Sequence, residues 1–171
     1  MKPPWLLRMF HVEPPFIVWT PSLQVCMIVS MDTSSSLSPW YVTGLMEGEG
    51  AFTYGRNGSR VALYFGIKLT EANRSILESL REFFGGIGKI YPVRASGYFR
   101  VCRIEELRRI VDHFDRYPLR GAKRGSFLVW REMVLLKLAS FGDPPWDLLD
   151  CLARKLSAAS PRGRALERTG R

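Results

Sequence analysis

Apolar and polar residues alternate along several short segments of the chain, which predicts β-strands. Residues 60–68 show the pattern most clearly, because Val61, Leu63, Phe65 and Ile67 fall on one face of an extended chain and form a core face. The opposite face is polar enough to be solvated or to contact a ligand. It carries Arg60, Ala62, Tyr64, Gly66 and Lys68.

Two hairpins are predicted from turn residues between alternating segments. Residues 51–56 alternate as well, and Asn57-Gly58 connects them to the return strand with a sequence typical of tight hairpins. Two further strands, near residues 89–94 and 98–103, flank a turn at residues 95–97. These four strands are expected to form one antiparallel sheet.

Apolar residues at helical spacing predict one helix between the two hairpins and further helices after the second hairpin. Thr70 is positioned to cap a helix that runs to about Phe84, and a further helix follows the second hairpin. Residues 127–139 form a helix that is apolar almost all round and is therefore expected to be buried, and a last helix starts at Asp143-Pro144 and ends near Leu156. The helix after the second hairpin has an apolar stripe of Leu107, Ile110, Val111 and Phe114.

The order of elements predicts an α+β fold of the form αββαββα. One four-stranded antiparallel sheet with helices packed on one face buries every apolar stripe and leaves the other sheet face open. Residues 38–157 would form this domain. Residues 1–37 are rich in proline and are expected to be a poorly ordered leader, with a targeting peptide as the alternative, and residues 158–171 a basic mobile tail.

Residues 39–49 are predicted to form the first helix, with Ser38 as its cap and Pro39 at the first position. Gly44 and Gly48 lie four residues apart on one face, and Gly50 is expected to end the helix in a left-handed conformation. Each interior glycine costs a helix about 1 kcal/mol relative to alanine, so this pair indicates that another backbone comes close. That backbone could belong to the same subunit or to a second one.

Glu47 and Glu49 lie in the last turn of this helix, at the negative end of its dipole. A compensating positive group should therefore be nearby, and a divalent cation is the natural candidate. The alternative is an exposed helix end with solvated carboxylates.

Composition and charge narrow the possible functions. The 171 residues are 46% hydrophobic and 24% charged, which is typical of a globular protein. Lys and Arg number 25 against 16 Asp and Glu, and the resulting net charge of +9 favours nucleic acid over a membrane as the partner. Pro21 leaves too short an apolar run to span a bilayer. A protein that is basic by chance remains the alternative.

The cysteines and histidines exclude several kinds of site. The 3 cysteines are far apart in sequence, which argues against a disulfide framework or a zinc site and fits a reducing, intracellular compartment such as a bacterial cytoplasm or an organelle. With only 2 histidines, no histidine metal cluster or Ser-His triad is available. Any metal must therefore be held by oxygen ligands, which points to Mg²⁺ or a similar hard cation.

The segment Val42-Thr43-Gly44-Leu45-Met46-Glu47-Gly48-Glu49-Gly50 resembles the nine-residue motif of the LAGLIDADG homing endonucleases. Agreement continues downstream and covers about residues 38–140. It includes Phe65-Gly66-Ile67-Lys68, Phe83-Phe84-Gly85-Gly86-Ile87-Gly88 and Tyr117-Pro118-Leu119 followed by Lys123. Only one motif occurs, so the resemblance is to the single-motif, homodimeric type of this family.

The resemblance implies a saddle-shaped sheet that lies along the DNA major groove and a homodimer that hydrolyses both strands of a pseudo-palindromic target with Mg²⁺ (or Mn²⁺). Glu49 would be a catalytic metal ligand, aided by the Gly48 carbonyl, and Lys123 would act on the water network. Tyr41, Gly44, Leu45 and Gly48 would form the dimer interface. The implied DNA-binding residues are Arg60, Tyr64, Lys68, Lys89, Tyr91, Arg94, Tyr98, Arg100, Arg120 and Arg124.

Leu69 departs from the family pattern, because members often carry a polar residue there that positions the solvent nucleophile. A leucine cannot donate or accept a hydrogen bond, so Lys68 or Thr70 would have to substitute. A non-cleaving DNA- or RNA-binding protein, such as an intron maturase or a regulator, is therefore the alternative function, with intron RNA as a further candidate partner. For Lys123, the alternative role is a simple phosphate contact.

Overall fold

The structure is a computed structural model, which describes residues 37–58, 60–140 and 143–160. The predictions for a leader and for a basic tail concern residues that lie largely outside these ranges. The elements follow in the order α1 (Pro39–Glu49), β1 (Gly50–Asn57), β2 (Arg60–Thr70), α2 (Arg74–Phe83), β3 (Lys89–Val93), β4 (Ser96–Val101), α3 (Ile104–Arg116), α4 (Lys123–Ala139) and α5 (Trp146–Ala159).

The strands form one antiparallel sheet in the order β1-β2-β4-β3, as the sequence predicts. Phe52 pairs with Phe65 across β1 and β2, and Ile67 pairs with Phe99 across β2 and β4. These paired residues are buried, so one face of the sheet is continuous with the hydrophobic core. The helices cover this face, and the α+β fold class is confirmed.

Phe52 lies at the centre of an aromatic cluster that joins the sheet to the helices. Its ring centroid is 5.1 Å from that of Trp130, 5.2 Å from Phe127 and 5.5 Å from Phe114. Fully burying side chains of this size stabilises a fold by about 1.5–3 kcal/mol each. The cluster therefore holds β1, α3 and α4 against one another.

α5 is fixed to the edge strand β1 by polar contacts outside the core. The Tyr54 hydroxyl lies 2.9 Å from the Ser157 hydroxyl, and Arg56 donates to Asp150 at 2.9 Å. Both strand residues lie on the helix-covered side, because they alternate with Thr53 and Gly55 along the strand. The last helix therefore shields the edge of the sheet.

Two helices differ from the predicted ones. α4 begins at Lys123, four residues earlier than predicted, and it exposes half of Leu128, so it is not buried all round. α5 begins at Trp146 rather than at Asp143-Pro144. Lys123 bonds the Met46 carbonyl and Ser126 bonds the Ala159 carbonyl, and these tertiary contacts favour the extra turn of α4. The sequence pattern predicts a later start because Gly125 has a low helix propensity.

The turns also differ slightly from the prediction. Thr70 belongs to β2, and a short 3-10 turn (Glu71–Asn73) separates it from α2. In the second hairpin Val93 pairs with Ser96, so the turn lies at Arg94 and Ala95, and Arg94 has a φ of 53°. In the first hairpin Asn57 pairs with Arg60, which moves the turn one residue along the chain.

The end of α1 corrects one expectation about Gly50. Its backbone is extended, with φ −79° and ψ 162°, and β1 starts at this residue without a left-handed turn. Glycine is favoured for a different reason: a Cβ atom at this position would overlap Sδ of the buried Met46, which would have to move. Ser38 precedes the helix as predicted, but its side chain makes no capping hydrogen bond.

His113 is a buried polar residue that connects α3 to α1. Its Nε2 lies 3.4 Å from the Thr43 hydroxyl, which donates to the Tyr117 carbonyl at 3.0 Å. Burial, with a smaller contribution from the positive charge of Arg116, lowers the pKa of His113 to about 4. The folded protein therefore keeps this imidazole neutral where the unfolded chain would protonate it.

This difference predicts a loss of stability in mild acid. The unfolded chain binds a proton at His113 below the ordinary pKa of about 6.5, whereas the folded protein binds it only near 4, so stability falls as the pH falls through this window. The loss attributable to His113 should reach about 2–3 kcal/mol. Urea unfolding at pH 7 and pH 4.5 measures it, and His113→Gln should flatten the pH dependence. An equal slope in both proteins would contradict this prediction.

Candidate functional site

The C-terminus of α1 meets the N-terminus of α4. The Lys123 ammonium donates to the Met46 carbonyl at 3.0 Å and to the Gly48 carbonyl at 2.8 Å. Carbonyls in the last turn of a helix carry the negative end of its dipole. In this structure Lys123 supplies a positive charge at the end of the helix that carries the two acidic residues.

Glu47 of α1 makes a second connection, in which α1 supplies the charged side chain and the loop before α4 supplies backbone groups. Its Oε1 accepts the backbone N–H of Arg120 at 2.7 Å and that of Gly121 at 2.6 Å. Hydrogen bonds to an ionised carboxylate are stronger than neutral ones. Glu47 therefore holds the loop that leads into α4, and the two helix termini are connected by contacts from both sides.

Glu49 is the acidic residue whose side chain stays available. It is exposed, and within the described ranges its carboxylate has no hydrogen bond or ion pair. It opens into a cleft of about 550 Å³ between α1, β1, α4 and α5. The cleft is lined by Gly48, Glu49, Gly50, Ala51, Phe52, Thr53, Tyr54, Lys123, Ser126, Leu156, Ser157 and Ser160.

The donor set around Glu49 fits a hard cation that keeps part of its water shell. Its carboxylate and the neighbouring Gly48 carbonyl are oxygen ligands, which Mg²⁺ prefers. Within the described part of the chain, no three His, Cys, Asp or Glu side chains lie close enough together to hold a metal ion. Mg²⁺ commonly binds through one or two carboxylates plus substrate phosphates and waters, so a single carboxylate is compatible with such a site.

Leu69 does not reach this cleft. It is 7% exposed and lies on the core face of β2, whereas Lys68 and Thr70 lie on the opposite face. None of these three residues lines the cleft, so the structure does not bring the suggested substitutes to Glu49. The hydroxyls of Thr53 and Ser157 do line it. Sequence reasoning missed them, because their positions depend on how α5 packs against β1.

The open face of the sheet collects the strand residues predicted to contact nucleic acid. Alternation and register place Arg60, Tyr64, Lys68, Lys89, Tyr91, Tyr98 and Arg100 on this face. The remaining residues of the face include Ala51, Thr53, Gly55, Ala62, Gly66, Thr70, Val93 and Ser96. The paired strands therefore present two arginines and two lysines on this face and no acidic residue, which favours a polyanionic ligand.

The other predicted contact residues lie outside the strands. Arg94 occupies the turn between β3 and β4, where it is exposed. Arg120 precedes α4, and Arg124 lies in its first turn; both are exposed. These three residues are therefore not part of the open sheet face.

One face of α1 is exposed around its glycines. A Cβ atom added at Gly44 or Gly48 would meet nothing within 4 Å, so no backbone within the described residues approaches them. Close packing against residues 37–58, 60–140 or 143–160 of the same subunit is therefore not the reason for these glycines. Tyr41 is 45% exposed beside them, whereas Leu45 packs partly against the core.

The comparisons with known proteins agree with this arrangement. The sequence model of the LAGLIDADG endonuclease family matches residues 42–134. A Podospora anserina protein, described as an uncharacterized 50.9 kDa protein in ND4 intron 1, is 33% identical over 112 residues, which are 60% of this chain and 25% of that protein. The probable intron-encoded endonuclease 3 of Neurospora crassa is 31% identical over 109 residues, which are 58% of this chain and 20% of that protein.

Solved structures share the fold. The LAGLIDADG homing endonuclease I-GzeII in complex with its DNA target superposes with a TM-score of 0.61 at 26% identity, covering 72% of this chain and 44% of that chain. I-SmaMI bound to an uncleaved DNA target in the presence of calcium ions superposes with a TM-score of 0.64 at 27% identity, covering 76% and 48%. This chain thus spans less than half the length of these structures.

No helix within residues 37–58, 60–140 and 143–160 is long and apolar enough to cross a membrane.

The contacts of the two acidic residues predict opposite effects on stability. Glu47→Gln should destabilise the protein by about 1–3 kcal/mol, because the carboxylate accepts two backbone N–H groups. Glu49→Gln should leave stability unchanged or slightly raise it, because it removes an exposed negative charge from a helix C-terminus. Urea unfolding of the two isosteric variants makes the comparison, and equal losses would contradict the assignment.

Proposed function

This chain belongs to the LAGLIDADG endonuclease family, and on that basis we propose that it is a site-specific homing endonuclease that cleaves double-stranded DNA. The observation that carries the proposal is the exposed Glu49 carboxylate at the end of the motif helix, in a cleft that Lys123 also lines. A protein that only binds nucleic acid has no need for an exposed acid at this position.

DNA binding is assigned to the open face of the sheet. The face is cationic and without acidic residues, and an antiparallel β-ribbon fits the major groove of B-DNA. Its tyrosines add apolar and hydrogen-bonding contacts beside the charged groups. Arg94, Arg120 and Arg124 would contact the phosphate backbone, because they lie on turns and helix ends outside the strands.

The reaction would be the hydrolysis of a phosphodiester bond by water. The Glu49 carboxylate and the Gly48 carbonyl would hold a Mg²⁺ or Mn²⁺ ion, whose chemistry is to stabilise the attacking water and the leaving oxygen. In this structure the Gly48 carbonyl accepts a hydrogen bond from Lys123. Lys123 also lines the cleft, where its ammonium would orient solvent near Glu49.

Cleavage of both strands requires two such sites, and we propose that a second copy of the chain supplies the other. A Cβ atom at Gly44 or Gly48 would meet nothing within 4 Å, so these positions leave room for a second helix to approach closely. Pairing would make this face an isologous interface. A dimer of this symmetry would recognise a pseudo-palindromic DNA target. Tyr41 and the half-buried Leu45 would lie within or beside the contact.

A non-cleaving nucleic-acid-binding protein is the second candidate function, and the position of Leu69 favours it. The residue is buried and away from the cleft, so the polar group that often positions water in the family is missing. In that case intron RNA would be a possible ligand of the basic face. Either function would require the protein to be in a compartment that contains the nucleic acid, such as a bacterial cytoplasm or an organelle. The free thiols of Cys102 and Cys151 are consistent with a reducing compartment of this kind.

The proposed function is tested by Glu49→Gln. Mg²⁺-dependent cleavage should fall by more than the roughly 100-fold loss that follows when only a supporting partner of a metal ligand is removed. DNA affinity without metal should hold or improve, because the variant repels phosphates less. Cleavage and DNA affinity can be measured on one preparation. Cleavage at the wild-type rate would overturn the proposed active site, and absence of cleavage by the wild type on bound DNA would favour the non-cleaving alternative.

Lys123→Met should slow cleavage by about a hundredfold while target affinity stays within a small factor. Arg124→Met is the matched control, because it removes the same charge from the next position of α4 without affecting the Gly48 carbonyl. As a proposed phosphate contact, Arg124 should contribute to DNA affinity but not to the rate at which bound DNA is cleaved. The Lys123 variant should also bind Ca²⁺ more tightly than the control, since no ammonium competes for that carbonyl. A fall in DNA affinity as large as the fall in rate would reduce Lys123 to a phosphate contact.

Gly44→Leu tests the proposed homodimer. Its side chain meets open space within one chain, and leucine favours a helix over glycine by about 0.5–1 kcal/mol, so the fold should be no less stable. Dimerisation and double-strand cleavage should be lost together. Gly125→Leu is the control, since this helical glycine is equally unobstructed but lies on α4. Sedimentation gives the result, and a monomer that cuts both strands would exclude the homodimer.

A further inference from the structure

Arg100 occupies the interior of the open sheet face. It lies on β4, pairs with Gly66 of β2 on one side and with Lys89 of β3 on the other, and so has a strand on each flank. The arginines at the hairpin turns, Arg60 and Arg94, lie at the ends of strands instead. Among the arginines of this surface, Arg100 is therefore the one that would face the floor of a groove laid along the sheet.

The guanidinium of Arg100 is held in place by an aromatic ring. Its central carbon lies 3.7 Å from the centroid of the Tyr64 ring, which is stacking distance. An arginine side chain carries about 2 kcal/mol of rotamer entropy, and a stacked plane removes part of that freedom before any ligand binds. Tyr64 therefore presents the planar fork of Arg100 in a restricted orientation.

Gly66 makes this arrangement possible. It is the cross-strand neighbour of Arg100, and a Cβ atom there would lie 2.4 Å from the Tyr98 hydroxyl oxygen. The Tyr98 side chain consequently lies across Gly66, and the Arg100 side chain crosses to Tyr64 on the other side. The centre of the face is a platform of two rings and one guanidinium.

The hydrogen-bond donors of Arg100 are not used by the described protein residues. Several other arginines are paired with carboxylates: Arg56 with Asp150, Arg74 with Glu71 and Glu78, Arg103 with Glu106, Arg108 with Asp112 and Arg131 with Asp115. Within residues 37–58, 60–140 and 143–160, Arg100 contacts the Tyr64 ring and makes no hydrogen bond or ion pair. A guanidinium that is held in one orientation and has unused N–H groups is suited to a ligand with two adjacent hydrogen-bond acceptors.

We propose that Arg100, positioned by Tyr64, recognises one guanine in the target through its O6 and N7 atoms. This inference rests on the proposed DNA-binding function. The major-groove edge of guanine presents two adjacent acceptors, and a bidentate arginine is the commonest specific contact to it. The interior position of Arg100 distinguishes it from residues that follow the phosphates. Tyr64 acts as a positioning residue and makes its contribution through the guanidinium.

The experiment selects targets for the full chain from a pool of duplexes with randomised sequence and then measures the base preference at every position. Arg100→Ala should remove the preference for guanine at one position, a loss of roughly tenfold to hundredfold there, and leave other positions intact. Tyr64→Leu should weaken the preference at the same position by a smaller factor. Tyr64→Phe should restore it, because the ring is retained, and Lys68→Ala, on the same face, should leave that position unchanged.

The outcomes separate this inference from the function on which it rests. A uniform loss of affinity on all sequences in Arg100→Ala would show a phosphate contact and overturn the guanine assignment. An unchanged preference in Tyr64→Leu would overturn the positioning role. Either result would leave the DNA-binding function standing. If the wild-type protein enriched no sequence at all, the proposed function and the inference would fail together.

Discussion

The connection between the end of α1 and the start of α4 is the constraint on which the candidate site depends. Lys123 donates to two carbonyls of α1, and Glu47 accepts two N–H groups from the loop before α4. The end of α1 thus meets a positive group from α4, and the loop before α4 meets a negative group from α1. The helix end can therefore carry a second carboxylate, Glu49, that makes no contribution to holding the fold.

Side chains alternate between the two faces of the sheet, and the two faces have different roles. On one face, Phe52, Phe65 and Phe99 belong to the core that the helices cover. On the other face the side chains are basic, aromatic or small, and the strands contribute no acid. Because successive residues of a strand point to opposite faces, a single stretch such as β2 serves both purposes at once. Leu69 follows the same rule, and its burial removes it from the surface on which Lys68 lies.

The alternating strands and the amphipathic helices could be predicted from the sequence, since residues such as Leu63, Leu107 and Phe114 are placed by local periodicity alone. The position of Glu49 at the end of the motif helix could be predicted as well. The extended conformation of Gly50 could not, because it depends on the Met46 side chain that fills the space of a Cβ atom. The early start of α4 and the hydroxyls that line the cleft depend likewise on contacts between elements far apart in sequence.

The junction between α1 and β1 contains no linker. The helix ends at Glu49, the strand begins at Gly50, and the Met46 thioether fills the space beside the joint. Two residues after the joint, Phe52 is fixed in the aromatic cluster. The backbone of Glu49 is therefore tied to the sheet, as it would not be on a flexible loop. A ligand that altered the twist of the strands would also shift the backbone that carries this acid.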